Sequence, residues 1–103
     1  MTKKKALINK EWLVYILRCY DDTLYTGITN NLEKRVTAHT RGMGAKYTRS
    51  RRPVVLSAVS YPMSRADAMC LELRIKKLKK GKKISTLKMY AKKRCEIISK
   101  NIS

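Results

Sequence analysis

The chain has 103 residues, with 25 Lys and Arg against 7 Asp and Glu and a formal net charge of +18. This length fits one domain and leaves no room for a second sizeable core. The charge makes a polyanion, nucleic acid before all others, the expected partner. An anionic membrane surface is the alternative, but the basic stretches lack the broad Leu and aromatic face of an interfacial helix, so no membrane partner is expected. Cys19, Cys70 and Cys95 are odd in number, far apart and without CxxC spacing, which excludes a disulfide framework or a zinc site and fits reduced thiols in a cytoplasmic protein. Lys3, Lys4 and Lys5 resemble the charged start of a secretion signal, but Asn9, Lys10 and Glu11 interrupt the apolar run after only Ala6, Leu7 and Ile8.

We divide the sequence into a basic tail over residues 1–11, one domain over 12–92 and a second basic tail over 93–103, and expect residues 95–103 to be weakly ordered. Trp12 to Cys19 is aromatic and β-branched, Asp21-Asp22 offers turn chemistry, and Thr23 to Thr29 resumes a strand pattern, which predicts an antiparallel hairpin. Alternation puts Tyr15 on a face with Leu13 and Leu17, and Tyr25 on a face with Thr23 and Gly27. Gly27 either leaves room for something to approach the sheet or marks a bulge.

Asn30-Asn31 predicts the start of a helix reaching about Arg41, where Gly42 stops it. Leu32, Val36 and His39 form a stripe that also takes in Arg35, so Arg35 faces the edge of the core, either for a fixed task or as a snorkelling side chain. His39 is either functional or a packed, hydrogen-bonded core residue. Residues 42–53 lack a period and mix glycine, Tyr47 and the basic residues Lys46, Arg49, Arg51 and Arg52, as expected of a phosphate-contacting loop.

Val54 to Tyr61 predicts the third strand, closed by Pro62. Ser64 and Asp67 fit a capping box that opens a helix through about Lys80, with Gly81 beyond its end. Glu72 lies inside that helix's apolar stripe of Ala68, Leu71, Ile75 and Leu78. It is either a functional carboxylate or half of an ordinary helix pair with Lys76. Lys76, Lys79, Lys80 and Lys83 belong to a dense basic run, a solvated face or a nucleic-acid face. Ser85-Thr86 then predicts the cap of a short last helix, with Leu87, Tyr90 and Ala91 packing back.

A carboxylate set among apolar residues of a helix in so basic a chain, downstream of two tyrosine strands and an Arg35/His39 helix, fits metal-dependent phosphodiester hydrolysis. That chemistry needs a cation against charge building on phosphate, a proton acceptor for water, and donors to the phosphate oxygens. The same residues resemble the GIY-YIG nuclease superfamily, and more closely its small stand-alone bacterial type, the UPF0213-like proteins. Leu13-Val14-Tyr15 stands where the first triplet would fall, Tyr25-Thr26-Gly27 matches the second, and Arg35, His39, the Gly44 to Thr48 stretch and Glu72 follow in order. The resemblance covers roughly Trp12 to Lys80. The first triplet lacks its glycine, and the asparagine that some members place after the glutamate has no counterpart before Asn101.

The resemblance implies an α+β fold, a three-stranded antiparallel sheet flanked by helices in the order β-β-α-β-α-α. It further implies one divalent cation, Mg²⁺ or Mn²⁺, on Glu72, with Tyr15 and Tyr25 near the attacking water and Arg35 on the scissile phosphate. A free tyrosine is a poor base near neutral pH, so Tyr15, the first candidate base, needs a nearby positive charge, and His39 is the second candidate. The expected activity is DNA endonuclease, DNA being favoured over RNA, with structure selectivity in repair or recombination and targeting that depends on nucleic-acid shape or on a protein partner. The alternative is a binding module of the same fold without turnover.

Overall fold

A computed structural model describes residues 11–91, so the expected tails, Glu11 apart, and Cys95 lie outside the described residues. The elements run β1 (Leu13–Cys19), β2 (Leu24–Thr29), α1 (Leu32–Thr40), α2 (Lys46–Arg49), β3 (Val54–Val59), α3 (Arg65–Lys76) and α4 (Lys80–Lys88). This is the expected α+β architecture with one short helix added. The sheet is antiparallel with order β2-β1-β3, which makes β1 central.

Burial of β1 follows from that place. Val14, Ile16, Ala58, Ala68, Leu71, Ile75 and Leu87 form one core, between the sheet and α3 with α4. Tyr15, Leu17, Cys19 and Val54 form a second core on the opposite face, against Leu32 and Val36 of α1. A strand covered on both faces reads as a continuous apolar run, as Val14 to Leu17 does. The β1–β3 register shifts between Ile16 and Leu17, which pair with Ala58 and Leu56 and leave Ser57 as the bulge residue.

Local chemistry fixes most boundaries. In the hairpin turn, Asp22 adopts a left-handed φ of 66°, and the Asp21 carboxylate accepts from the Thr23 amide at 3.2 Å and hydroxyl at 2.6 Å. Asn31 caps α1 by accepting from the Lys34 amide at 3.1 Å, and Gly42, at φ 78°, follows its end. Ser64 caps α3 through the Asp67 amide at 3.1 Å. The strand β3 stops at Val59, two residues before Tyr61, because the Ser60 hydroxyl turns in to accept from the Val14 amide at 2.9 Å.

Three further expectations are corrected. First, α3 ends at Lys76 rather than Lys80, and Gly81 lies in the first turn of α4 instead of stopping a helix. The Lys83 ammonium closes α3 by donating to the Ile75 and Lys76 carbonyls at 3.0 and 2.9 Å. Second, Ser85 and Thr86 sit inside α4 and cap nothing; Ser85 bonds back to the Lys82 carbonyl at 3.3 Å. Third, residues 46–49 are one helical turn rather than irregular loop.

Candidate active site around Tyr15

Tyr15 points from the middle of β1 into the core beneath α1, with 1 % of its surface exposed. Its phenol oxygen lies 2.9 Å from His39 Nε2 and 3.4 Å from Arg35 Nε, so one helix supplies both partners from the same stripe. Gly27 faces Tyr15 across the β1–β2 pair, and a Cβ there would stand 2.6 Å from the phenol oxygen. What approaches the sheet over Gly27 is therefore the ring of Tyr15.

His39 is fully buried and packed at 5.1 Å, centroid to centroid, from Tyr25. Its second nitrogen, Nδ1, lies 2.7 Å from the hydroxyl of Thr48, also fully buried, and a Cβ on Gly44 would stand 2.4 Å from that nitrogen. The histidine is thus both packed and hydrogen-bonded, yet one of its bonds reaches the tyrosine. Tyr47 continues the cluster 6.0 Å from Tyr25, the Arg51 guanidinium lies 4.0 Å over its ring, and Arg51 Nε is 3.2 Å from the Asp21 carboxylate. Tyr15, Tyr25, Arg35, His39 and Tyr47 are therefore gathered in one place.

Burial sets the protonation states here. It raises the Tyr15 phenol above the ordinary tyrosine value, the Arg35 hydrogen bond opposes that rise, and the charges of Tyr25 and Glu72 reinforce it. His39 falls from 6.5 to about 4, first through burial and then through the Arg35 charge. At neutral pH the site therefore holds a neutral phenol and a neutral imidazole beside a guanidinium.

The His39 shift predicts acid sensitivity. Unfolded, the imidazole takes up a proton near pH 6.5, whereas folded it does so only near 4, so the unfolded state binds more protons within that window. The contribution is complete above pH 6.5 and is lost as pH falls to about 4, in total ~3 kcal/mol at about 1.4 kcal/mol per unit. Asp21 and Asp22, held below the ordinary carboxyl value by Thr23 and Lys80 respectively, lose their contributions at lower pH still. Denaturant titrations at pH 7 and pH 4.5 should show the loss in the native chain and a much flatter dependence in His39→Gln.

Glu72 comes from α3 and keeps 20 % of its side chain exposed, with Lys76 Nζ at 3.3 Å. The helix pair therefore exists, yet the carboxylate still stands where Tyr15 feels its charge. Among the described residues no three His, Cys, Asp or Glu side chains gather into a metal-binding group. The donor set fits a hard cation that keeps several waters and takes one protein carboxylate plus phosphate oxygens, as Mg²⁺ commonly does, and not an all-protein cage.

Besides Tyr47, the eight cationic side chains expected to meet nucleic acid divide into two groups. Lys76 pairs with Glu72, Lys80 with Asp22 at 3.0 Å and Arg51 with Asp21. Lys83 is committed to helix carbonyls, with burial and then Lys76 lowering its pKa. Arg52 Nε donates to the Arg49 carbonyl at 3.1 Å. Lys46, Arg49 and Lys79 make no ion pair among the described residues.

Sequence reasoning missed Thr48 and the role of Gly44. Their only signal was membership of the Gly44 to Thr48 stretch, in which Tyr47 drew attention.

The profile of the GIY-YIG catalytic domain matches residues 11–85, most of the chain. The chain belongs to the GIY-YIG family. A UPF0213 protein of Nitratidesulfovibrio vulgaris is 47 % identical over 76 residues, which cover 74 % of this chain and 69 % of that protein. One of Clostridium perfringens is 50 % identical over 74 residues, covering 72 % and 80 % respectively. An E. faecalis protein solved by NMR in solution matches with a TM-score of 0.54 and 38 % identity, over 81 % of this chain and 90 % of that one. The GIY-YIG match places the chain in a nuclease family whose members generally bind nucleic acid and use a divalent metal, and it spans every residue of the Tyr15 cluster. Among the described residues no helix is long and apolar enough to cross a membrane.

Proposed function

We propose that this GIY-YIG chain is a divalent-metal-dependent DNA endonuclease that cuts phosphodiester bonds by attack of water on phosphorus. The observation that carries this reading is the buried Tyr15 hydroxyl held between Arg35 Nε and His39 Nε2. Arg35 cannot accept a proton and His39 is neutral, so a proton leaving the phenol has the imidazole as its destination. Water beside Tyr15 passes its proton to the phenol oxygen as it attacks, and the phenol passes its own to His39 Nε2. No resting phenolate is needed, which accommodates a Tyr15 pKa that burial raises. Tyr15 and His39 thus share the role of base.

Tyr25 packs against both rings and limits where water can sit. Arg35, with the rest of its guanidinium, binds a non-bridging phosphate oxygen through a directional fork. Glu72, now paired with Lys76, would hold Mg²⁺ or Mn²⁺, which when bound would supply positive charge against the charge building on phosphate. This reading includes a cytoplasmic setting and structure selectivity in repair or recombination, a protein partner supplying further targeting.

The test is incubation of the purified chain with duplex, branched and single-stranded DNA, and matching RNA, with Mg²⁺, Mn²⁺ or EDTA. Metal-dependent cleavage of DNA is expected. Binding in every arm without cleavage in any would instead support the binding module.

Cation placement gives a second expected result. Neutralising Lys46, Arg49 and Lys79 together should weaken binding of all sequences and flatten the slope of log affinity against log salt, because fewer counterions are released. Lys83→Ala should leave that slope nearly unchanged and lower stability by about 1 kcal/mol through lost carbonyl hydrogen bonds. Binding across a salt series, with thermal melts of each variant, checks both; an unchanged slope in the triple variant would move the interface elsewhere.

A further inference from the structure

Thr48 and His39 form an arrangement that neither the family's triplets nor the proposed roles of the site residues require. His39 Nδ1 lies 2.7 Å from Thr48 Oγ1, and that hydroxyl donates to the Ala45 carbonyl at 3.0 Å. A hydroxyl has one proton, so with its own spent on Ala45 it meets Nδ1 as an acceptor. At the other end of the ring, the buried Tyr15 hydroxyl is approached by Arg35, which only donates, and by His39 Nε2. Its proton has one acceptor within reach among these groups. Only the tautomer with the proton on Nδ1 and a bare Nε2 satisfies every donor in the chain from Arg35 through Tyr15, His39 and Thr48 to Ala45. With the proton on Nε2, both Arg35 and His39 would aim at the Tyr15 oxygen, and the phenol proton would have no acceptor among these groups.

We infer that Thr48 is a positioning residue that fixes the His39 tautomer, so that Nε2 is the bare nitrogen facing Tyr15. The local fold serves this end. The single turn of α2 brings residue 48 back under α1, and Gly44, where a Cβ would stand 2.4 Å from Nδ1, lets the backbone pass close to the ring. A serine keeps the hydroxyl, whereas a valine keeps the shape and removes the acceptor. The tautomer does not depend on cleavage; its consequence for rate rests on the proposed proton relay.

His39 is the chain's single histidine, so long-range proton–nitrogen NMR spectra of ¹⁵N-labelled protein read its two ring nitrogens without overlap. At neutral pH the native chain is expected to show a protonated Nδ1 and an unprotonated Nε2. Thr48→Val should populate the opposite tautomer substantially, and Thr48→Ser should restore the native pattern. In the cleavage assay, Thr48→Val should lower kcat about 10- to 100-fold with little change in KM, again rescued by serine. A native spectrum with the proton on Nε2 overturns the inference, and so does a Thr48→Val spectrum identical to the native one. If Thr48→Val fails to fold, the native and Thr48→Ser spectra still decide, because a proton on Nε2 in either one is fatal to it. A tautomer that switches as expected while kcat stays unchanged upholds the positioning role and sinks the relay.

Discussion

Glu72→Gln is expected to abolish divalent-dependent cleavage while leaving nucleic-acid affinity and melting temperature close to those of the native chain. The substitution keeps the shape of a side chain that is 20 % exposed and removes only its charge. Its structural role is the pair with Lys76, an i,i+4 contact worth only a few tenths of a kcal/mol, so the fold should scarcely register the loss. A hard cation that depends on one protein carboxylate loses its anchor when that carboxylate becomes an amide. A metal-free readout accompanies the kinetic one. The Glu72 charge is among the influences that raise the Tyr15 phenol, so its removal should bring that ionisation down slightly in an alkaline ultraviolet titration. Native turnover retained in Glu72→Gln would end the assignment of Glu72 as ligand and leave it as half of a helix pair.

The parts of the fold that were legible in sequence are those decided within a few residues. Asp21-Asp22 bends the hairpin, Asn31 and Gly42 bracket α1, and Ser64 opens α3, each through hydrogen bonds or backbone angles that its own side chain permits. The break between α3 and α4 was illegible because its cause is tertiary. Gly81 reads as a stop and Ser85-Thr86 as a start, whereas the helix is closed by Lys83 reaching back to Ile75 and Lys76. The phase of the apolar residues held the clue. Continuing the Ala68, Leu71, Ile75, Leu78 stripe in threes and fours passes through Lys82 and then Ser85 or Thr86, yet the residue buried in α4 is Leu87.

The site shows the same division. Order and helical spacing brought out Tyr15, Tyr25, Arg35 and His39, and these do converge. The approach of Thr48 to His39 stayed hidden, because residues 46–49 form too short a helix to carry a period. Glu72 could be narrowed to two alternatives, of which the structure shows the Lys76 pair, while the carboxylate's charge also raises the Tyr15 phenol. The basic run could not be divided from sequence at all. Lysines within one stretch look alike until a hairpin aspartate takes Lys80 and a helix end takes Lys83.

Tyr15→Phe should reduce kcat by about 10²- to 10⁴-fold, the usual share of general acid–base catalysis, with affinity for nucleic acid nearly unchanged. Only an oxygen is removed, from a ring whose packing with Tyr25 and His39 is otherwise kept. The oxygen is nevertheless the meeting point of Arg35 Nε at 3.4 Å and His39 Nε2 at 2.9 Å, so its loss leaves a buried nitrogen without its partner. That should cost about 1–3 kcal/mol of stability, too little to unfold a domain of ordinary stability. The two effects separate by experiment. If Tyr15 served structure alone, the folded fraction of Tyr15→Phe, quantified by its melting curve, would cleave at the native rate. The relay instead requires the rate per folded molecule to fall, and His39→Gln to show a fall of similar order, because both residues lie on one proton path. The double variant should then be scarcely slower than the slower single one, since residues that act as a unit are not additive. Rates for the two single variants within several-fold of native would exclude Tyr15 and His39 from proton transfer and leave the Arg35 guanidinium and the metal as the cluster's remaining catalytic elements.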